Sequence, residues 1–267
     1  MDQQLIIAGF HRSGTSLVAQ LMHRAGLFLG YKLLGALPSN PYGHYEDLAI
    51  IRMHDRILAD HGLTWQVDVP FIPVIGKSYW DEMQQIVDQR QYEHELWGFK
   101  DPRVCLFLGP WKYLLPNAKV VMVYRHYADT TFSLARRHSR DIFMQRGPQH
   151  MHRRFWEKPD FALRMWLVHN RALLSFCHKH PHDSMVIALD VLQKGFPLVA
   201  AVKRRWDLPL GDAYVGEVYD AQVTKKTPYR QHICDESLVE PIWKTWQELE
   251  RLSGETQSFM EEESDAQ

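Results

Sequence analysis

The sequence predicts an α/β fold: three layers, with a mostly parallel central sheet flanked by helices. Three observations carry this. Short apolar runs alternate with longer amphipathic ones along the chain, the pattern of parallel strands joined by helical crossovers. The runs KVVMVY at 119–124 and SMVIAL at 184–189 are apolar without alternation, as strands covered on both faces are. The stretch LIIAGFHRSGTS at 5–16 leads from a short apolar strand through a glycine-containing loop into a helical run.

Taken in order, the first strand spans 5–8 and a helix spans 14–25, with Gly26 as its stop. Residues 30–45 hold three glycines and two prolines and read as a long loop. A helix is predicted at 46–61, a mixed segment at 62–76 and a helix at 78–95. A strand at 96–99 ends at Lys100, a helix covers 104–115, and Pro116-Asn117 turns the chain. The strand 119–124 ends at Arg125 and a helix follows over 127–138. Residues 139–156 are basic, contain Gly147 and Pro148, and read as an irregular excursion. A helix at 159–179, the strand 184–189 and a helix capped by Asp190 and ending near Trp206 come next. The segment 207–236 is loop-rich, 238–252 is a last amphipathic helix, and an acidic tail begins at Glu261. The expected organisation is one domain over 1–260 with a frayed tail at 261–267.

Composition excludes more than it assigns. The 31 basic and 32 acidic residues nearly cancel, so no global field draws the chain to nucleic acid or anionic membrane. No apolar run approaches the roughly 18–20 residues of a membrane span. No signal-peptide pattern opens the chain. Cys105, Cys177 and Cys234 are odd in number and widely spaced, which suits free thiols. A soluble cytoplasmic protein is expected. His178, His180 and His182 alternate around Pro181 and read as a surface helix end rather than a metal site.

The loop at 9–16 carries the chemistry. The pattern G-x-x-x-x-G-K-[ST] is met at Gly9, Gly14 and Ser16, but Thr15 stands where the lysine belongs and Arg12 lies inside the loop. A helix N-terminus offers free N–H groups and partial positive charge. Glycines let the backbone approach an anion. Ser13, Thr15 and Ser16 add hydroxyls, and Arg12 can fork onto two oxygens. The bland alternative is a tight strand–helix turn capped by Ser13. Ligands of open parallel sheets bind beyond the C-terminal strand ends. Three strand ends carry cations: Arg12, Lys100 with Arg103 in KDPR, and Arg125. Gathered on one edge, they suit a polyanion. Ser133 lies two helical turns beyond Arg125.

GFHRSGTS at 9–16 with YRHYADTTFS at 124–133 resembles the sulfotransferase family, whose donor is 3′-phosphoadenosine 5′-phosphosulfate (PAPS). NPYGHYE at 40–46 and GFKDPR at 98–103 look like segments of its bacterial branch. The resemblance runs from residue 5 to about 205 and implies a P-loop-like sulfotransferase fold. It implies that Arg12, Ser13, Gly14, Thr15 and Ser16 hold the 5′-phosphosulfate, and that Arg125 and Ser133 hold the 3′-phosphate. Asp129 matches the family segment R-N-P-x-D-x-x-x-S, whereas His126-Tyr127 replaces Asn-Pro. The absent lysine is then explained: protein cations and backbone N–H groups hold the donor, and no metal is required.

The implied reaction moves a sulfuryl group to a hydroxyl or amine of a glycan, lipid or small molecule and releases 3′,5′-phosphoadenosine. Arg12 would stabilise the leaving group and Lys100 would reach the transferring group. Glu46 is the first candidate base, because a loop of this length, spanning up to about 60 Å extended, can return it to the catalytic edge. His44 is the runner-up, with His11 and Asp101 behind. Trp65, Phe71, Trp80 and Trp156 are candidates to line an acceptor groove. Lys225, Lys226, Tyr229 and Arg230 are candidates to close over the nucleotide. The rival readings are a Mg-ATP- or GTP-dependent kinase with a degenerate loop, for which VIALD at 186–190 supplies a strand-end acid, and a nucleotide-binding protein of the same fold without catalysis. Acceptor and oligomeric state are not legible.

Overall fold

The computed structural model describes residues 3–36, 43–218 and 232–261. The chain order is β1 (Gln3–Ala8), α1 (Thr15–Arg24), β2 (Leu33–Leu34), β3 (Glu46–Asp47), α2 (Leu48–Asp60), α3 (Lys77–Glu93), β4 (Leu96–Lys100), a 3-10 turn (Pro102–Leu106), α4 (Leu108–Leu114), β5 (Lys119–Tyr124), α5 (Tyr127–Phe143), α6 (Gln149–Glu157), α7 (Phe161–Lys179), β6 (Ser184–Ala188), α8 (Leu189–Gln193), α9 (Leu198–Trp206) and α10 (Val239–Glu261). Four strands pair in the order β4-β1-β5-β6, every pair parallel. The fold class is the predicted one.

Strand alternation divides the core into two layers. Leu5 and Ile7 of β1 and Val121 and Val123 of β5 pack with Val18, Leu21 and Met22 of α1 and with Leu198 and Val202 of α9. Ile6, Ala8, Val120 and Met122 point the other way, toward Met53 of α2, Trp111 of α4, Trp166 of α7 and Ile242 of α10. Burial on both faces explains why these strands read as unbroken apolar runs. β1 lies between β4 and β5, so the loop at its C-terminal end sits in the middle of the sheet edge. The chain steps from β1 to one side at β4 and to the other at β5, which makes this edge the switch point where ligands bind.

Several boundaries differ from the sequence reading. The loop at 30–45 contains a strand, because Leu33–Leu34 forms an antiparallel ladder with Glu46–Asp47. Two-residue strands carry no periodicity to read. Glu46 therefore lies in β3 and not in a helix; Asp47 caps α2, accepting from the Ala49 N–H at 2.8 Å. The helix predicted over 104–115 is a 3-10 turn followed by α4. The helix from Tyr127 continues to Phe143, and 149–157 is helical, so the segment 139–156 is not irregular. Asp190 lies inside α8 rather than capping a long helix, and Pro197 restarts the chain as α9. α10 runs to Glu261, beyond the predicted end. Lys225, Lys226, Tyr229, Arg230 and the residues 262–267 of the acidic tail lie outside the described residues, as do Asn40, Pro41 and Tyr42 of the NPYGHYE segment.

Among the described residues, no helix is long and apolar enough to cross a membrane. The three cysteines are free thiols, Cys105 and Cys177 buried and Cys234 exposed.

Candidate functional site

The loop between β1 and α1 is shaped by close packing. A Cβ on Gly9 would lie 2.3 Å from the Val123 carbonyl oxygen, so the loop can cross β5 only with glycine there. Gly14 takes a φ of 97° as the N-cap of α1, and a Cβ there would strike Leu189 at 2.5 Å. No side chain caps α1, and the buried Ser13 hydroxyl has no hydrogen-bond partner among the described residues. A turn capped by Ser13 is therefore not what this loop is. Arg12 itself has a φ of 67°, a left-handed conformation that costs a non-glycine residue about 1 kcal/mol. Tyr45, next to Glu46, has a φ of 55°. Backbone strain of this kind collects at functional sites.

The two segments far apart in sequence meet here. Arg12 donates from Nε to the Ser133 hydroxyl at 3.0 Å. Burial pulls the Arg12 guanidinium down to about 10, helped by the positive charges of Arg137, Arg125, Arg136 and Arg140. It remains a cation at neutral pH, surrounded by other cations. Arg125 lies 3.8 Å from Asp129, and the Trp166 indole N–H donates to the Arg125 carbonyl at 3.2 Å. The departure at residue 126 has a physical account: the His126 ring accepts from the Ala128 N–H at 3.2 Å and caps α5, the office that Asn commonly performs.

A second group gathers around Lys100 at the end of β4. Its ammonium is buried and donates to Glu46 Oε1 at 2.5 Å, to the His44 carbonyl at 3.1 Å and to the Ser16 hydroxyl at 3.2 Å. Ser16 in turn donates to the His44 carbonyl at 3.4 Å. The His44 ring lies 3.8 Å from Glu46. The β2–β3 ladder explains how Glu46 returns to this edge, since Leu34 pairs with Glu46 and its carbonyl accepts from the His44 N–H. Burial raises the Glu46 carboxyl, but Lys100 and His44 more than offset it, leaving Glu46 below its ordinary value and ionised. Arg12, Ser13, Gly14, Thr15, Ser16, Lys100 and Glu46 thus share one edge, with Arg125 and Ser133 on the neighbouring β5–α5 junction.

Asp101 and Arg103 behave differently. Asp101 is fully buried, accepts from His54 Nδ1 at 2.7 Å and binds Arg103 at 2.9 Å through the guanidinium and 3.0 Å through the backbone. Arg103 also pairs with Asp55 at 2.7 Å. The Trp111 N–H donates to His54 Nε2 at 2.9 Å, so His54 is the Nδ1-protonated tautomer and donates to Asp101. Burial would raise the Asp101 carboxyl; Arg103 and His54 hold it far below the carboxylate range instead. So acidic and enclosed a group is a poor base. Arg103 points into this lock and does not join the gathering of cations on the loop.

His11 sits among rings beside the loop. Burial, then Arg103 and His169, push its imidazole well below the ordinary value. Its ring packs on Trp65 at 4.6 Å, which brings one predicted groove residue beside the loop. Phe71 packs against Phe107, Trp80 against Tyr113, and Trp156 is exposed on α6. The strand-end acid required by the kinase alternative, Asp190, is in α8, more than half exposed, 3.9 Å from Lys194 and one strand removed from β1. The alternating histidines at 178–182 do not converge, and His178 pairs with Glu248 at 2.8 Å. Sequence reasoning did not single out Arg137, whose charge acts on Arg12 and which stands one helical turn beyond Ser133.

The chain matches no protein-family model and no curated protein significantly. Among solved structures, it is similar to a sulfotransferase from Mycobacterium tuberculosis, with 14% identity, 91% of this chain and 76% of that chain covered, and a TM-score of 0.45. An identity of 14% transfers no residue roles.

Proposed function

We propose that the protein is a sulfotransferase that transfers a sulfuryl group from PAPS to a hydroxyl or amine acceptor and releases 3′,5′-phosphoadenosine. The observation that carries this reading is the 3.0 Å bond from Arg12 in the first loop to Ser133 on α5. It brings the first loop and α5 side by side, which supports a donor with phosphate at both the 5′ and 3′ positions. The donor supplies an activated sulfuryl group. The N–H groups at the start of α1 and the hydroxyls of Thr15 and Ser16 cradle its 5′-phosphate. Arg125 and Ser133 take the 3′-phosphate. Arg12 meets the charge that grows on the bridging oxygen as the S–O bond to the 5′-phosphate breaks. Because protein cations neutralise the donor, the reading calls for no metal.

Lys100 and Glu46 act as a pair. The acceptor oxygen forms the new S–O bond while Glu46 takes its proton. In the structure Lys100 occupies one Glu46 oxygen and the Ser16 hydroxyl together. Turning the ammonium toward the transferring group leaves Glu46 more basic as the acceptor arrives. Positioning and charge stabilisation supply most of the acceleration, as in transfers with loose transition states.

The thermal midpoint with ligands tests the reading. 3′,5′-Phosphoadenosine without Mg²⁺ stabilises the protein more than Mg-ATP does, and the Arg125→Ala variant loses the preference for a 3′-phosphate over 5′-AMP. A larger shift with Mg-ATP points to the kinase alternative and overturns the proposal. Saturating 3′,5′-phosphoadenosine with no sulfate transfer to any acceptor points to the inactive nucleotide-binding alternative.

A further inference from the structure

Buried polar side chains are almost always paired, yet several beside the loop are not. Among the described residues, the buried atoms without a hydrogen-bond partner include Ser13 Oγ, His11 Nε2, Arg137 Nε, His138 Nε2 and His169 Nε2. These are neighbours. His11 adjoins Arg12 in the chain, and its ring lies 4.6 Å from Trp65 and 6.3 Å from His169. Trp65 also stacks on His138, ring centroids 5.7 Å apart. Arg137 is one helical turn beyond Ser133 on α5, the face that Arg12 touches. Arg136 and Arg140 continue that face by spacing.

The imidazoles are wired to present acceptors. His169 donates its Nδ1 proton to the Met165 carbonyl at 2.8 Å, which leaves Nε2 bare. His152 gives its Nε2 proton to the Arg146 carbonyl at 2.7 Å, and the two Nδ1 atoms of His138 and His152 are 2.8 Å apart. The neutral His138 ring donates its Nδ1 proton across that pair and keeps a bare Nε2. Burial is the main cause that holds His138 at about 3 and His169 at about 4, so both are neutral at physiological pH. Two bare nitrogens call for hydroxyl donors. The arginines call for an anion: Arg137 has only Asp141, at 3.9 Å, as its ion-pair partner among the described residues. His138, Asp141 and His152 do bring ligand atoms within 4.8 Å of one another, but the guanidinium against Asp141 opposes a metal cation there.

Resting on the sulfotransferase reading, which assigns Arg12, Arg125 and Lys100 to the donor, we infer that Arg137 and Arg140 with His11, His138, His169 and Trp65 form the acceptor compartment. The acceptor is then a hydroxylated organic anion, a compound that carries a carboxylate, sulfate or phosphate group besides the hydroxyl that reacts. The imidazoles accept from its hydroxyls, Trp65 holds His11 and His138 in place by ring packing, and the arginines hold its acid group. The donor's own charges are met by other cations, so these arginines stay available when the donor is bound.

Titration calorimetry on protein saturated with 3′,5′-phosphoadenosine tests this, with inorganic sulfate as the anion probe. Sulfate binds the loaded protein; glucuronate displaces it and glucose does not. Arg137→Gln and Arg140→Gln each weaken sulfate binding about tenfold, the size of one charge-assisted hydrogen bond, and move nucleotide affinity less than about twofold. Arg137→Lys keeps most of the sulfate binding. Absence of sulfate uptake overturns the inference. So does a loss of nucleotide affinity in Arg137→Gln equal to its loss of sulfate affinity, which assigns the arginine to the donor. Should Arg137→Gln not fold, Arg140→Gln, on the exposed end of the face, decides. If the wild-type protein binds no 3′,5′-phosphoadenosine, the donor reading falls. The same sulfate titration of the unloaded protein and its Arg137→Gln variant then decides whether Arg137 holds an anion.

Discussion

Lys100 and Asp101 are neighbours in the chain, both buried and both in ion pairs, and they belong to different machines. Lys100 meets Glu46, the His44 carbonyl and the Ser16 hydroxyl of the loop. Asp101 meets Arg103 and His54, and through them Asp55 and Trp111. Consecutive extended residues point to opposite sides, so one step along the backbone takes the chain from the ligand edge into the scaffold. The difference lies in what remains to be done. Around Asp101 each oxygen is bonded and the tautomer of His54 is fixed. Around Lys100 one ammonium divides itself among a carboxylate, a carbonyl and a loop hydroxyl, an arrangement that can be redrawn when an anion arrives. Burial and charge alone do not separate a site from a lock; the chemistry of the neighbours does.

Variants can break that comparison. The largest effect is expected from Glu46→Gln, which keeps the shape and removes the proposed base. Sulfate transfer should fall about 10²–10⁴-fold, with little change in 3′,5′-phosphoadenosine affinity by calorimetry. Near-normal turnover excludes Glu46, and His44, 3.8 Å away, becomes the residue to test. Asp101→Ala should act on stability instead. Removing one partner of a buried pair strands the other, at a cost of about 3–5 kcal/mol, read as a lower urea midpoint. A variant of full stability that transfers no sulfate would falsify the assignment of Asp101 to the scaffold.

The smallest effect is a slope with pH. His169 and His138 are held below their unfolded value near 6.5, at about 4 and about 3, by burial above all. Below pH 6.5 the unfolded chain takes up protons that the folded chain refuses, so stability falls as the pH drops toward 4. Each histidine contributes up to about 1.4 kcal/mol per pH unit across that window. Asp101, depressed in the fold, keeps its contribution above about pH 3.9 and loses it only as the pH falls further. Urea unfolding from pH 7 to pH 3 reads the slope of the depressed histidines, His11 included, above pH 5 and that of Asp101 below pH 4. An unchanged slope in His169→Gln would show that the ring is not buried neutral. A loss confined to pH below 4 would point to Asp101 and its partners instead.

Much of this was legible in order along the chain and little of it across the chain. The parallel strands were readable because burial on both faces leaves unbroken apolar runs. The strand–loop–helix junction was readable because glycines separate two apolar runs of different period. Glu46 was reachable by argument, although the ladder that returns it was not, since Leu33–Leu34 is too short to carry a period. Of the four cations expected to gather, Arg12, Lys100 and Arg125 lie at the edge, while Arg103 turns inward to Asp101 and Asp55. His54 and Trp111 give no hint in sequence of the acid they serve. The basic stretch after residue 139 hid α6, because a helix that packs on one side only needs few apolar residues and none in a row.

By itself the sequence determined the layers of the fold and the strand–loop–helix turn at 9–16, because strand periodicity and loop composition are local properties. Only the tertiary structure decided which charged residues face a ligand. That depends on partners 47 to 121 residues away, as His54 to Asp101 and Arg12 to Ser133 show. In a low-dielectric interior each charge must find such a partner or a ligand, and the choice between the two is made by packing.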